Sequence, residues 1–512
     1  MLASENDALE GGKIGGVGDV VRDLPRTLAH MGWRVTIVIP SYGFLHKKNP
    51  SKLHTAVRFP FAGKVMDGEL WEATAKEPDS RITHFVFEHP DLRGDPIYFN
   101  DPPAHAFAKD ATKYALFCSA IGQYLLRQES PFVLHLHDWH TGILFLLREL
   151  HPEFAGLKRA KTVFTIHNVA IQGTRPMRGR HASVEQWFPE LFRENSWIAA
   201  WKDPRYKEES FTPMAAGIQY ADRVNTVSPT YAEEILKPSD HANGFYGGEG
   251  LEPLLHRVNS ERRLFGILNG SSYPANRVIP RMAFPELCDL IISDVLKHRS
   301  KTNASFLDTV IERTEKLKHS PIQLMLTCIT RVVDQKVRLL VEKGSDGTRA
   351  LDEILKIARA SNGLVLLLGT GTPDVEELLK KCFSENERFL FVNCYSELIS
   401  RALYANGTLF LMPSSFEPCG ISQMIAMRDG QPCIVNAVGG LKDTVIDGVN
   451  GFQFSGATLK EQVDNFIAVT RKAINLRVNN PGKFDKIRSA ASAARFTWES
   501  SARQYVDLVY NG

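Results

Sequence analysis

The chain has 512 residues, 43% of them hydrophobic, which is too much for one core and enough to bury two. Net charge is only +3 and no block of five or six like charges occurs, so nucleic acid finds no electrostatic footprint. No apolar run reaches the length of a membrane span, and Met1 to Gly12 carries acids and glycines where a secretory signal would have an apolar core, so a cytoplasmic protein without a membrane partner is expected.

In chain order, Met1-Leu-Ala-Ser-Glu5 reads as the end of a first strand whose start has been trimmed. A glycine loop, Gly11 to Asp19, leads into a helix whose apolar face is Val20, Leu24, Leu28 and Met31. Arg34 to Pro40, Phe132 to His137 and Thr162 to Ile166 read as buried strands, and residues 1–270 form a first domain. Residues 271–320 are charged and irregular, with helical pieces at Leu287 to His298 and Ser305 to Leu317, and read as a connecting segment. In 321–490, strands at Leu324 to Thr330, Leu364 to Leu368, Arg388 to Val392, Leu409 to Met412 and Cys433 to Val435 alternate with helices or glycine turns. Residues 491–512 end in Trp498, Ala502, Tyr505, Val506 and Val509 at helical spacing, predicting a helix that packs back on the first domain. The alternation defines an α/β class with two mostly parallel sheets, and ligands are expected outside the carboxyl ends of the strands, in a cleft between the sheets. The seven cysteines lack any Cys-x-x-Cys pair and lie mostly in apolar runs, as reduced core residues do.

Six runs carry the chemistry. Gly11-Gly-Lys-Ile-Gly-Gly-Val-Gly-Asp19 puts flexible backbone and the Lys13 charge at a helix start, which suits a phosphate. It is not a Walker loop, because Ile14 stands where Ser or Thr is needed, and the strand ending Pro40-Ser41 lacks the acid of a dinucleotide site, which disfavours an NAD-dependent oxidoreductase. His135-Leu-His-Asp-Trp-His140 looks like a metallohydrolase cluster, but its acid follows the second histidine directly, so no metal is assigned; Asp138 and Trp139 suit a carbohydrate, a carboxylate for hydroxyls and an aromatic face for C–H groups. Thr165-Ile-His-Asn168 ends a strand with His167, a residue that in isolation reads more often as a satisfied core histidine than as a functional one. Arg331-Val-Val-Asp-Gln-Lys336 sets two cations beyond the strand that opens the second domain, where they can neutralise a diphosphate. Gly369 and Gly371 add flexible backbone after the next strand. Finally, Phe410-Leu-Met-Pro-Ser-Ser-Phe-Glu-Pro-Cys-Gly-Ile-Ser-Gln-Met424 reads as strand, tight loop and helix start, placing Glu417 among helix N–H groups to orient a hydroxyl, or else to cap the helix.

Taken together these runs resemble the bacterial glycogen synthase and plant starch synthase family of retaining glycosyltransferases, with two Rossmann-like domains in the GT-B arrangement. Lys13-Ile-Gly-Gly-Val-Gly-Asp19 is similar to the family's K-T-G-G-L-[GA]-D, His137-Asp-Trp-His140 to H-D-W-H and Thr165-Ile-His-Asn168 to T-[VI]-H-N. Asn225-Thr-Val-Ser-Pro229, Gly266-Ile-Leu-Asn-Gly270, Phe416-Glu-Pro-Cys-Gly420 and Val438-Gly-Gly-Leu-Lys-Asp-Thr444 follow in the family's order. The resemblance implies transfer of glucose from ADP-glucose, or another nucleoside diphosphate glucose, to the non-reducing 4-hydroxyl of an α-1,4-glucan, without a cofactor. It implies that Lys13, Gly15, Gly16 and Asp19 serve the donor phosphates, that Arg331 and Lys336 receive the departing diphosphate, and that His167 and Asn269 contact the glucose. Glu417 would meet the sugar's hydroxyls and developing charge, and Asp138 the sugar and acceptor. Gly369, Gly371, Cys419, Gly420, Ile421 and Ser422 would line the donor, with Tyr395 stacked on its base.

The chain departs from the family pattern at Ser271-Ser272, where an [IV]-D pair is usual, at Val337, where a glycine follows the lysine, and at Ser415, where an arginine precedes Phe-Glu-Pro. None of these removes a proposed catalytic group. Three alternatives stand beside the leading reading: a UDP-glucose donor, a small acceptor such as a short glycan, and a glucan-binding relative without turnover.

Overall fold

The structure is a computed structural model that describes residues 1–94, 96–99, 101–102, 106–128, 132–179, 181–194, 196–274, 279, 281–298 and 304–511. Two compact units emerge. The first comprises Met1–Ser239, Gly247–Asn269 and Trp498–Gly512, and the second Asp240–Tyr246 and Gly270–Thr497.

In the first unit the strands are β1 (Val35–Pro40), β2 (Ser51–Phe61), β3 (Lys64–Ala73), β4 (Ile82–Glu88), β5 (Val133–His137), β6 (Lys161–Ile166), β7 (Arg175–Pro176), β8 (Ser210–Phe211), β9 (Arg223–Thr226) and β10 (Leu264–Gly266). Two four-stranded sheets, ordered β1-β4-β3-β2 and β10-β9-β6-β5, are joined by Leu2, which pairs in parallel with Leu136 of β5 and Val38 of β1. The short first strand is therefore central, and the strand order reverses beside it, between Leu2 and β5. Such a reversal is where open parallel sheets hold their ligands. The sheet is less uniformly parallel than expected, because β2, β3 and β4 pair antiparallel. Ala62 and Gly63, with φ of 53° and 70°, close the β2–β3 hairpin with the hand that matches strand twist.

The helix Gly16–His30 buries Val20, Leu24 and Leu28 against Ile37 and Ile39, together with Trp498, Ala502 and Tyr505 from the chain's last segment. Met31 is not part of that face; it lies just past the helix and is 41% exposed. The last segment is helical over Trp498–Gln504 and continues as a wider π-turn over Tyr505–Tyr510.

The second unit is built on six parallel strands, β11 (Leu324–Ile329), β12 (Gly363–Leu368), β13 (Phe389–Val392), β14 (Leu409–Met412), β15 (Cys433–Asn436) and β16 (Gly451–Phe454). Their order is β13-β12-β11-β14-β15-β16, the doubly wound Rossmann order, with its reversal between β11 and β14. Leucine-rich and β-branched runs that are buried on both faces, such as Leu364 to Leu368, explain why these strands form without polar alternation. The segment 271–320, expected as a connector, supplies two helices, Phe284–His298 and Ala304–Lys318, whose Leu287, Ile291, Val295, Leu307 and Val310 enter the same core as β11 and β12. All seven cysteines are buried and free. Among the described residues no helix is long and apolar enough to cross a membrane.

Candidate active site

In the first unit the polar groups gather at the sheet's order reversal. Glu5 leaves the short first strand and is buried. Its Oε2 accepts the backbone N–H groups of Ile14 and Gly15, both at 2.6 Å, and its Oε1 accepts the Tyr98 hydroxyl at 2.5 Å. The glycine loop expected to hold a phosphate thus already wraps an internal carboxylate, while Gly16, which opens the helix, has open space where a side chain would stand. Lys13 donates to Asp19 at 2.6 Å. Burial raises the Asp19 pKa and the Lys13 cation opposes that rise.

Across the reversal, Asp138 follows β5 with φ 55° and ψ −179°, a conformation that costs a non-glycine residue of order 1–3 kcal/mol. The strain aims its carboxylate back at the next strand, where Oδ1 accepts the N–H of His167 at 2.8 Å and of Asn168 at 3.4 Å. Burial lifts its pKa to about 7 against the pull of those two N–H groups, and the Glu5 charge adds to the rise. Trp139, expected as a sugar platform, is instead packed inside, with Phe107, Tyr114 and His140 around its ring.

The histidines do not converge on a point. His135 and His137 stack at 4.2 Å, His137 Nδ1 meets His167 Nε2 at 3.0 Å, and His140 packs among Tyr98, Tyr114 and Trp139. Among the described residues no three His, Cys, Asp or Glu groups are placed to hold a metal. Burial depresses all three pKa values along the row, His167 to about 3, so the rings are neutral. Their protons follow from the partners. Thr165 Oγ1 donates to Asn225 Oδ1 at 2.8 Å, so it must accept from His135 Nε2–H at 2.6 Å, and His135 Nδ1 in turn accepts the Tyr510 hydroxyl at 2.8 Å. Asn225 completes the chain by donating to the Tyr505 hydroxyl at 3.0 Å. His137 Nε2 has no partner among the described residues. An orphaned lone pair costs less than an orphaned N–H, so His137 is the donor to His167, which keeps its own proton on Nδ1. Asn269, after β10, is also buried, and its Oδ1 is without a partner among the described residues.

The second unit repeats the pattern at its own reversal, between β11 and β14. Lys336, on the helix Asp334–Val341 that follows β11, donates to Glu417 Oε2 at 2.6 Å and to the Phe416 carbonyl at 3.2 Å. Ser414 also donates to Glu417 Oε2, at 3.2 Å. Glu417 is therefore held by a cation and a hydroxyl, not by the helix N–H groups expected from the sequence, and the helix itself starts later, at Ser422. Arg331 lies exposed on the loop after β11. The flexible backbone expected at Gly369 and Gly371 is a packed crossing. A Cβ at Gly369 would lie 1.9 Å from the Thr330 carbonyl oxygen, and one at Gly371 1.8 Å from that of Val332, so these glycines exist to let the Arg331 loop pass. The Gly371 N–H is taken by Glu376 at 2.6 Å. Cys419 is buried, Gly420 has φ 76°, Ile421 precedes the helix, and Ser422 shares a hydrogen bond with the Tyr404 hydroxyl. Tyr395, beyond β13, is 78% exposed.

Of the departures, Val337 is fully buried in the second core, Ser271 pairs in parallel with Thr497, and Ser272 offers its carbonyl to Arg428 at 2.5 Å. Glu5, Tyr98 and Tyr510 join these polar clusters without having been singled out by the sequence, whereas His137 lay within the histidine run. Glu5 alone had a signal, a carboxylate directly after a strand.

Residues 1–257 match the family described as Starch synthase catalytic domain, and residues 332–471 match Glycosyl transferases group 1. Among curated proteins, Glycogen synthase 1 of Synechocystis sp. is 31% identical over 508 residues, 98% of this chain and 92% of that protein. Glycogen synthase of Desulfitobacterium hafniense is 32% identical over 512 residues, 97% of this chain and 95% of its own. Among solved structures, the catalytic domain of Starch Synthase IV from Arabidopsis thaliana bound to ADP and acarbose aligns with a TM-score of 0.74 at 25% identity, over 99% of this chain and 98% of that one. Sucrose-phosphate synthase from Thermosynechococcus elongatus shares the fold, with a TM-score of 0.53 and 17% identity over 99% of this chain and 96% of that one. Two Rossmann-like units with polar groups at both order reversals, and these matches, define a glycosyltransferase of the GT-B fold. Within that class, the chain belongs to the glycogen synthase and starch synthase family.

Proposed function

We propose that the chain transfers glucose from ADP-glucose to the non-reducing 4-hydroxyl of an α-1,4-glucan, with retention at the anomeric carbon. The observation that carries this reading is the Lys336–Glu417 contact at the order reversal of the second sheet, with Arg331 exposed on the adjacent loop. Breaking the bond from glucose C1 to the diphosphate leaves negative charge on phosphate oxygens and positive charge on the sugar. Arg331 and Lys336 answer the first and Glu417 the second, from positions set before the substrate arrives. The glucan O4 then bonds to C1, and its proton leaves with the nucleoside diphosphate.

In this reading Lys13 exchanges its Asp19 partner for donor phosphate, and Gly16 gives backbone access there, since the Gly15 N–H is already engaged by Glu5. His167 presents its Nδ1–H to a glucose hydroxyl, Asn269 offers its Oδ1, without a partner among the described residues, to another, and Asp138 accepts from sugar or acceptor. Cys419, Gly420, Ile421 and Ser422 line the phosphates, and Tyr395 covers the base. The charge work falls to side chains, so neither metal nor covalent cofactor is called for. The test is incubation with labelled ADP-glucose or UDP-glucose, with and without glycogen. Label is expected in polymer from ADP-glucose; label only in small products, or none, overturns the reading.

A further inference from the structure

We propose that the segment Asp240–Tyr246 is a strap that positions the Lys336–Glu417 pair, with Tyr246 as its positioning residue; this rests on the function proposed above. By its contacts this segment belongs to the second unit, although the residues on either side of it, Ser239 and Gly247, belong to the first. It is tied into a tight loop by paired backbone hydrogen bonds between Asp240 and Phe245, both at 2.9 Å. The loop touches both elements that carry the pair. Arg338, two residues beyond Lys336 on the same helix, donates to the His241 carbonyl at 3.2 Å. The Tyr246 ring packs on Phe416, the residue before Glu417, at 5.0 Å, and is backed by His241 at 4.9 Å.

Underneath, the strap is stitched to the same carboxylate by a second route. Gln462 donates to the Asn243 carbonyl at 2.9 Å and accepts from Asn436 at 3.4 Å. Asn436 also donates to the Ser414 carbonyl at 3.2 Å, and Ser414 bonds Glu417. Between the two routes, Ser415 donates its N–H to the Gln335 carbonyl at 2.9 Å, fastening the Glu417 loop to the start of the Lys336 helix. A Cβ at Gly244 would lie 3.5 Å from that of Ser415, so the strap packs directly against the residue two before Glu417. The strap's own hydrogen bonds, from Arg338 and Gln462, end on its backbone carbonyls, so the strap adds no charged side chain to the pair.

A displaced pair loses rate more than binding, because an error of about 1 Å in positioning costs up to roughly a hundredfold. Tyr246→Ala in the full chain is expected to lower kcat about tenfold, to leave the KM for glycogen and the thermal midpoint near wild type, and to speed amide exchange at residues 415–417. Tyr246→Phe, which keeps the ring, should restore all of these. Arg338→Ala is expected to act in the same direction, and less than additively with Tyr246→Ala, since both loosen one loop. Wild-type kcat in Tyr246→Ala and Arg338→Ala, or a loss that the phenylalanine fails to restore, overturns the strap. If the wild-type chain transfers no glucose, the transferase reading fails separately, and exchange decides the strap alone: unchanged exchange at 415–417 in Tyr246→Ala overturns it.

Discussion

At the Lys336–Glu417 pair a 2.6 Å contact joins two side chains that are nearly enclosed. In the function proposed above, removing the amine takes away charge that the departing diphosphate would need in the transition state. Lys336→Ala is therefore expected to cut kcat by about a hundredfold to a thousandfold while donor KM moves little, as single-turnover and steady-state assays would show; an unchanged kcat removes Lys336 from the chemistry. In the proposed reaction Asp138 would set the pH dependence. Its carboxyl is raised from 3.8 to about 7, so the folded protein holds a proton that the unfolded chain releases. The stability linked to that proton is full below pH 4 and is lost as pH climbs towards 7, while the ionised form needed to accept a hydroxyl appears over the upper part of that range. The expected kcat/KM profile rises with an apparent pKa near 7, and Asp138→Asn should abolish that acidic limb and flatten the stability change. A limb that persists in the variant assigns it to another group. His167, neutral throughout, contributes no titration there.

The strands were legible because Leu, Val and Ile runs buried on both faces leave little else for them to do, and β14 was placed to the residue. What the sequence hid depends on partners distant along the chain. Val57, Phe59 and Phe61 alternate as a half-buried strand should, yet only the turn at Ala62 and Gly63 shows that β2 folds back on β3. Glu417 was read as a helix-end acid because Lys336 stands 81 residues away, and no local pattern announces that pairing. The strap is short and polar, without a hydrophobic period to mark it. Gly369 and Gly371 were seen as glycines, but their reason, the carbonyls of Thr330 and Val332, belongs to another loop. That reason has a consequence. Gly371→Ala must push the Arg331 loop away, with an expected cost of about 1–3 kcal/mol in denaturant midpoint and a lower kcat. A variant that unfolds and turns over like wild type would show that the loop yields without effect.

The first unit is assembled from three stretches of sequence, and its last, Trp498–Gly512, is joined to it only after the chain has built the second unit. The sequence reading ends the first domain at residue 270 and expects the tail to pack back on it; the tail lies within the first unit. Trp498, Ala502, Tyr505, Val509 and Tyr510 are all buried there. Ser501 donates to the Leu268 carbonyl at 2.6 Å, and Tyr510 and Tyr505 hold the two ends of the hydrogen-bond chain through His135, Thr165 and Asn225. Ending the chain at Thr497 would open a cavity several side chains wide, where a single large-to-small change already costs about 2–5 kcal/mol. It would also leave His135 and Asn225 each lacking a partner in a buried setting, at about 1–3 kcal/mol apiece. Against a typical stability of about 5–15 kcal/mol, the sum is enough to unfold the first unit. The expected result is a truncated chain whose proteolytic cuts fall within residues 1–269 while fragments of 270–497 persist, and whose activity is lost. A truncated chain that resists protease and melts as the full chain does would mean that the tail only covers the surface, and that His167 and Asp138 hold their places without it.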